Sequence, residues 1–110
     1  MAGAVYSTQF ANGDLASTST LFYTVPAGKV AVVRDMTVGY ATLARTGGQI
    51  SVQTTASNSR LWIVQVAAST SGSDHWVGYL VLNAGDQIRA FWTATGACRF
   101  TASGFLLNNP

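Results

Sequence analysis

A chain of 110 residues has room for one domain and one modest core. Only 9% of it is Asp, Glu, Lys or Arg while 48% is apolar, against about 25% charged in ordinary soluble domains. The net charge of +2 comes from Lys29, Arg34, Arg45, Arg60, Arg89 and Arg99, scattered with no two adjacent, so no basic run tracks a phosphate backbone and no nucleic-acid partner is expected.

Glu is absent and Lys29 is the only lysine, whereas helical surfaces draw heavily on both, so an all-β chain is favoured. A surface made instead of Thr, Ser and Ala reads as one that is covered by something else. No apolar run approaches the length of a membrane-spanning helix, and no membrane partner is expected. The opening "MAGAVYSTQF" lacks the basic and long apolar regions of a signal peptide, so synthesis in the cytoplasm is expected. Cys98, the single cysteine, excludes an internal disulfide and reads as a small core residue.

Period-two alternation dominates the chain. "AVYSTQF" (4–10) reads as a first strand, and "ANGDLASTS" (11–19) as a loop with Asn12-Gly13-Asp14 as its turn signal. "TLFYTV" (20–25) and "KVAVVRDMTVGYA" (29–41) flank Pro26-Ala27-Gly28. Proline presets φ and glycine supplies a positive φ, so this is a hairpin or a tight corner. Strands follow at 49–56, 60–69 and 74–82. Asn83-Ala84-Gly85 then repeats the earlier turn before strands at 86–95 and 98–108. Eight strands with no helical pattern between them predict an all-β fold, a single-domain antiparallel β-sandwich over 1–110 that is jelly-roll-like. Residues 1–19 are expected to form an N-terminal strand or arm and loop.

Two strands are apolar on both faces. In "HWVGYLVL" Trp76, Gly78, Leu80 and Leu82 alternate with Val77, Tyr79 and Val81; in "RLWIVQV" Leu61 and Ile63 alternate with Trp62, Val64 and Val66. A strand with one solvated face carries polar residues there. One core covers one face, so the other is expected to be covered by a second subunit.

Convergent ionisable groups are scarce, and no enzymatic activity is expected. His75 is the only histidine; as strand neighbours, Asp74 and His75 point to opposite faces and form no base–orienter pair. One His, one Cys and four dispersed Asp give no metal-ligand spacing, and neither a metal nor a cofactor is expected. Asp86 reads as a cap on its own turn. Arg34 and Asp35, adjacent in mid-strand, are expected on opposite faces. Arg34 then shares a side with Val30, Val32, Met36 and Val38, and sits at a bulge or reaches a carboxylate. Trp62, Trp76 and Trp92 with Tyr23, Tyr40 and Tyr79 fit core or subunit contacts, with a sugar-stacking face as the alternative.

"LFYTVPAGKVAVVRDMTV", "HWVGYLVLNAGDQIRAF" and "ASGFLL" together resemble small structural proteins of tailed bacteriophages, particularly phages of actinobacteria. The matching pattern runs from Leu21 to Leu107; each turn alone is common, and the ordered repetition of both is what carries the likeness. The resemblance implies a β-sandwich that assembles on the virion, commonly as trimers, serving as a head decoration (cement) protein or a minor tail or fibre component. No catalytic residues come with it. The expected partners are copies of the chain itself, as a homotrimer, and the major capsid protein, on the surface of the phage head. Trp62, Trp76, Tyr79, Arg34 and His75 are the candidate interface residues, and Pro26, Gly28, Gly85 and Asp86 define the turns. A minor tail or fibre-tip module and a carbohydrate-binding sandwich are the alternatives.

Overall fold

The computed structural model describes residues 8–16, 18–40, 48–53, 60–66, 71–93 and 97–108. Eight strands follow one another: β1 (Thr8–Asp14), β2 (Thr20–Thr24), β3 (Lys29–Tyr40), β4 (Gly48–Gln53), β5 (Arg60–Val66), β6 (Gly72–Leu82), β7 (Gln87–Trp92) and β8 (Cys98–Asn108). They form two four-stranded antiparallel sheets, ordered β1-β8-β3-β6 and β2-β7-β4-β5. Successive strands alternate between the sheets except at β4-β5, which is the wrapping of a jelly roll. The body measures 50 × 31 × 19 Å, two sheets deep along its short axis.

The core lies between the sheets. Phe10, Ala31, Val33, Met36, Val38, Leu82, Phe100 and Ala102 point inward from the first sheet; Ile50, Val52, Val64, Val66, Ile88, Ala90 and Trp92 point inward from the second. Aromatic contacts tie the layers: Phe22 of β2 meets Phe100 of β8 edge-on with ring centroids 5.2 Å apart, and Phe10 of β1 meets Tyr23 of β2 in a tilted arrangement at 4.9 Å. Cys98 is buried at the start of β8.

The repeated turns are corners and not hairpins. β2 and β3 lie in different sheets, as do β6 and β7; β3 pairs with β6, and β2 with β7. Each turn closes on itself, by Lys29 N–H to Pro26 O (3.2 Å) and Asp86 N–H to Asn83 O (2.9 Å). Both central glycines have positive φ, 75° at Gly28 and 89° at Gly85, as the sequence predicts. The Asp86 carboxylate accepts the Asn83 N–H at 2.8 Å, the expected cap. The two corners also bond to one another: Val25 N–H donates to Asp86 O and Gly85 N–H to Val25 O, both at 2.9 Å. The sequence repeat is therefore two arches stacked at one end of the sandwich.

Two expectations are corrected. Asn12-Gly13-Asp14 is not a turn but the end of β1, because β8 runs long enough to pair with it: Asn12 opposes Thr101, Gly13 Phe100 and Asp14 Arg99. Glycine there reflects crowding, since a Cβ on Gly13 would come within 3.2 Å of the Phe22 ring. The expected first strand at 4–10 is described only from Thr8 onward, residues 1–7 lying outside the described set. Secondly, Arg34 and Asp35 do not lie on opposite faces, nor does Arg34 share a side with Met36 and Val38. The registers of β3 against both β6 and β8 shift between Val33 and Asp35. This bulge, one of the two settings the sequence allowed for Arg34, keeps Val33, Met36 and Val38 fully buried and turns Arg34 and Asp35 outward.

The bulge explains Gly104. A Cβ there would sit 1.9 Å from the Val32 carbonyl oxygen, which is backbone and cannot swing away. Gly28 and Gly85 have nothing within 4 Å of the same position, so only their dihedral angles require glycine.

Three stability measurements check this account. Gly28→Val and Gly85→Val are each expected to cost about 1–3 kcal/mol in urea denaturation, from strained φ alone. Gly104→Ala should cost more than about 3 kcal/mol despite adding one methyl group, because it overpacks against main chain. Burial pushes the Tyr23 phenol above its usual 10.0. The folded chain thus holds that proton more tightly than the unfolded one, a contribution complete below about pH 10 and lost as pH rises through the folded value. Stability is expected to fall as pH rises above about 10, and less steeply in Tyr23→Phe.

Candidate assembly surface

Among the described residues no group of three His, Cys, Asp or Glu side chains converges. Asp74 turns inward and accepts a hydrogen bond from Tyr40 Oη at 2.8 Å, while His75 stands exposed on the other face of β6, so the neighbours are separated as their spacing predicts. Asp35 is engaged by Ser103 Oγ at 2.9 Å. What the fold brings together is apolar surface.

That surface is the outer face of the first sheet. Along β6, Val77, Tyr79 and Val81 are 67%, 71% and 58% exposed, three large side chains in a row at alternate positions. β3 continues the row inward through Val32, which opposes Val81 on one side and Phe105 on the other. Val30 opposes Leu107, itself exposed. Toward β1 the same face turns polar, with Thr37, Thr101, Gln9, Asn12 and the exposed Arg99–Asp14 pair at 3.8 Å. The apolar part is thus bounded on one side and reaches the sheet edge on the other.

Arg34 marks the boundary. Its Nε donates to Gly78 O at 3.0 Å, and its guanidinium lies 4.0 Å from the centroid of the Tyr79 ring. The bulge supplies this geometry: with Arg34 turned outward, its planar fork bonds an edge-strand carbonyl and stacks under the neighbouring phenol. Among the described residues no carboxylate forms an ion pair with it. Arg34 and Tyr79, both singled out in the sequence, therefore form one unit, and exposed His75 stands further along the same face.

Trp62 and Trp76 occupy other ground. In register Trp62 opposes Val52 and Trp76 opposes Met36, both inward residues, and each indole packs half-buried against the core. The Trp76 ring lies back over Gly78, where a Cβ would come within 3.0 Å of it. Trp92 is fully buried. All three tryptophans face the sandwich interior, and the exposed apolar surface is built from Val77, Val81 and Leu107, which the sequence did not single out as site residues. The signal for the first two was present in the double-faced pattern of "HWVGYLVL".

The outer face of the second sheet differs. Leu21 and Ile63 are exposed there, but between them Ser51 and Gln53 of β4 are buried on that face, flanked in register by Phe91, Ile63 and Arg89. Arg89 Nε is held by Gln87 Oε1 at 2.8 Å.

No protein-family model matches the chain, and no curated protein matches it. The solved structure of Bacillus endospore appendages, described as a novel family of disulfide-linked pili, is similar in fold with a TM-score of 0.50. The two share 10% identity over 96% of this chain and 88% of that one, a likeness of fold alone.

The Arg34–Tyr79 unit is testable by a double-mutant cycle. Arg34→Ala, Tyr79→Ala and the double variant should show a coupling of about 0.5–1 kcal/mol, the range for an exposed cation–π pair. Arg34→Lys should retain less than half of it, since it loses both the stacked plane and the Gly78 bond.

Proposed function

We propose that this chain is a non-enzymatic structural protein of a virion, a decoration (cement) protein that binds the head of a tailed bacteriophage as a homo-oligomer and braces its shell. The observation that carries the reading is the outward row Val77, Tyr79 and Val81, flanked by Val32, Phe105 and Leu107, in a chain of which only 9% is charged. A bracing protein works through contact area repeated by symmetry, so many weak contacts add to high avidity, and it needs no pocket. Small polar residues in place of Lys and Glu reduce the side-chain entropy lost when the surface is covered. The resemblance carried by both corner motifs points to virions, and the corners are structural devices in the fold.

A carbohydrate-binding role has less support, because stacking on a sugar needs a platform of exposed rings, and with the three tryptophans facing inward Tyr79 is the one exposed Phe, Tyr or Trp ring among the described residues. The appendage likeness concerns fold, and a disulfide-linked assembly of that kind would have to use Cys98, the single cysteine, which is buried.

Gold-labelled antibody raised against the chain is expected to decorate the heads of virions in electron micrographs. Purified chain should also co-sediment with DNA-free heads at a fixed, saturable ratio. Labelling confined to tails would move the protein to the minor-tail role; labelling of neither part, with no co-sedimentation, would sink the virion reading.

A further inference from the structure

The first sheet ends at β6, which has β3 on one side and, among the described residues, no strand on the other. It is an 11-residue edge, about twice the usual strand length. A long flat edge presents backbone N–H and C=O groups that accept another strand unless charge, proline or strong twist blocks it. The other edges are shorter or more polar: β1 has seven residues and turns Gln9, Asn12 and Asp14 outward, β2 has five residues, and β5 has seven with exposed Gln65. From Trp76 to Leu82, β6 has no charged residue and no proline.

We propose that β6 is a self-pairing edge. Two copies of the chain join β6 to β6, antiparallel about a two-fold axis at Tyr79, merging two four-stranded sheets into one of eight strands. The proposal rests on the self-association in the reading above and names the surface that performs it. What identifies the occupant as a second copy is the symmetry of the strand. A two-fold contact brings residue i against j and j against i. Centred on Tyr79, the exposed series Val77-Tyr79-Val81 reads the same in both directions, so Val77 meets Val81 of the second copy and Tyr79 meets Tyr79. On the inward side Gly78 meets Leu80 and Trp76 meets Leu82, again apolar with apolar. No like charges oppose one another in any of these pairs. Each Arg34 lies on β3, bonded to Gly78 O and stacked on its own Tyr79, so the two guanidinium groups are not opposed residue to residue in the pairing.

Sedimentation equilibrium on the intact chain, at up to about 100 µM because an edge contact is smaller than a standard interface, is expected to show a monomer–dimer equilibrium. Val77→Lys with Val81→Lys sets lysines opposite one another twice and removes four valines from the contact; dimerisation should weaken at least about 100-fold with the circular dichroism spectrum unchanged. Should that variant misfold, single cysteines give an independent answer. Under mild oxidation Tyr79→Cys should cross-link to itself, Val77→Cys and Val81→Cys should not, and the Val77→Cys/Val81→Cys pair should, with the parent chain and its buried Cys98 as the blank. A monomer throughout, a trimer, an unweakened lysine variant, or Val77→Cys self-linking as fast as Tyr79→Cys would overturn the proposal. A monomer that still labels phage heads would remove this pairing alone, and a dimer that labels no virion would remove the phage assignment alone.

Discussion

Val25 is the residue on which the two halves of the sandwich meet. It is buried, so both its backbone groups need partners, and both find them in the opposite corner: its N–H in Asp86 O and its C=O in Gly85 N–H. Each corner carries the chain between sheets, one from β2 to β3 and the other from β6 to β7. Because β3 pairs with β6 and β2 with β7, two arches laid on each other fix the separation of the sheets at that end. The inward rows of valine, isoleucine and aromatic side chains then pack across a gap already set. The positive φ of Gly28 and Gly85 is what lets both arches turn tightly enough to touch.

A second constraint shapes the outside. The bulge at Arg34 shifts the phase of β3 between Val33 and Asp35, so the strand serves the core on both sides of the shift and yet directs an arginine outward. Two features follow from that register shift. Gly104 must be glycine because the displaced Val32 carbonyl lies where its Cβ would be, and Tyr79 gains a guanidinium beneath its ring. The outer face is thereby divided into a polar half near β1 and an apolar half near β6. On the function proposed above, such a division would orient the contact, since a face apolar throughout would adhere without orientation.

Strand content, the approximate bounds of β2 through β8, the two positive-φ glycines and the Asp86 cap were all legible in the sequence, because alternation and turn chemistry are local properties. The end of the opening strand was missed for a non-local reason: Asn12-Gly13-Asp14 carries turn residues, but β8 holds it extended and Phe22 crowds Gly13. The bulge at Arg34 was legible only as one of two options, since register depends on the strand alongside.

The sequence by itself determined that β6 has two apolar faces and sorted its residues between them, Trp76 with Leu80 and Leu82, Tyr79 with Val77 and Val81. Period-two geometry requires nothing more. Which set faces the core was decided only by tertiary pairing: Trp76 opposes Met36 while Val77 opposes Asp35, so the tryptophan is drawn inward and the valine–tyrosine row is left outside. A strand's two faces are equivalent until a second sheet covers one of them.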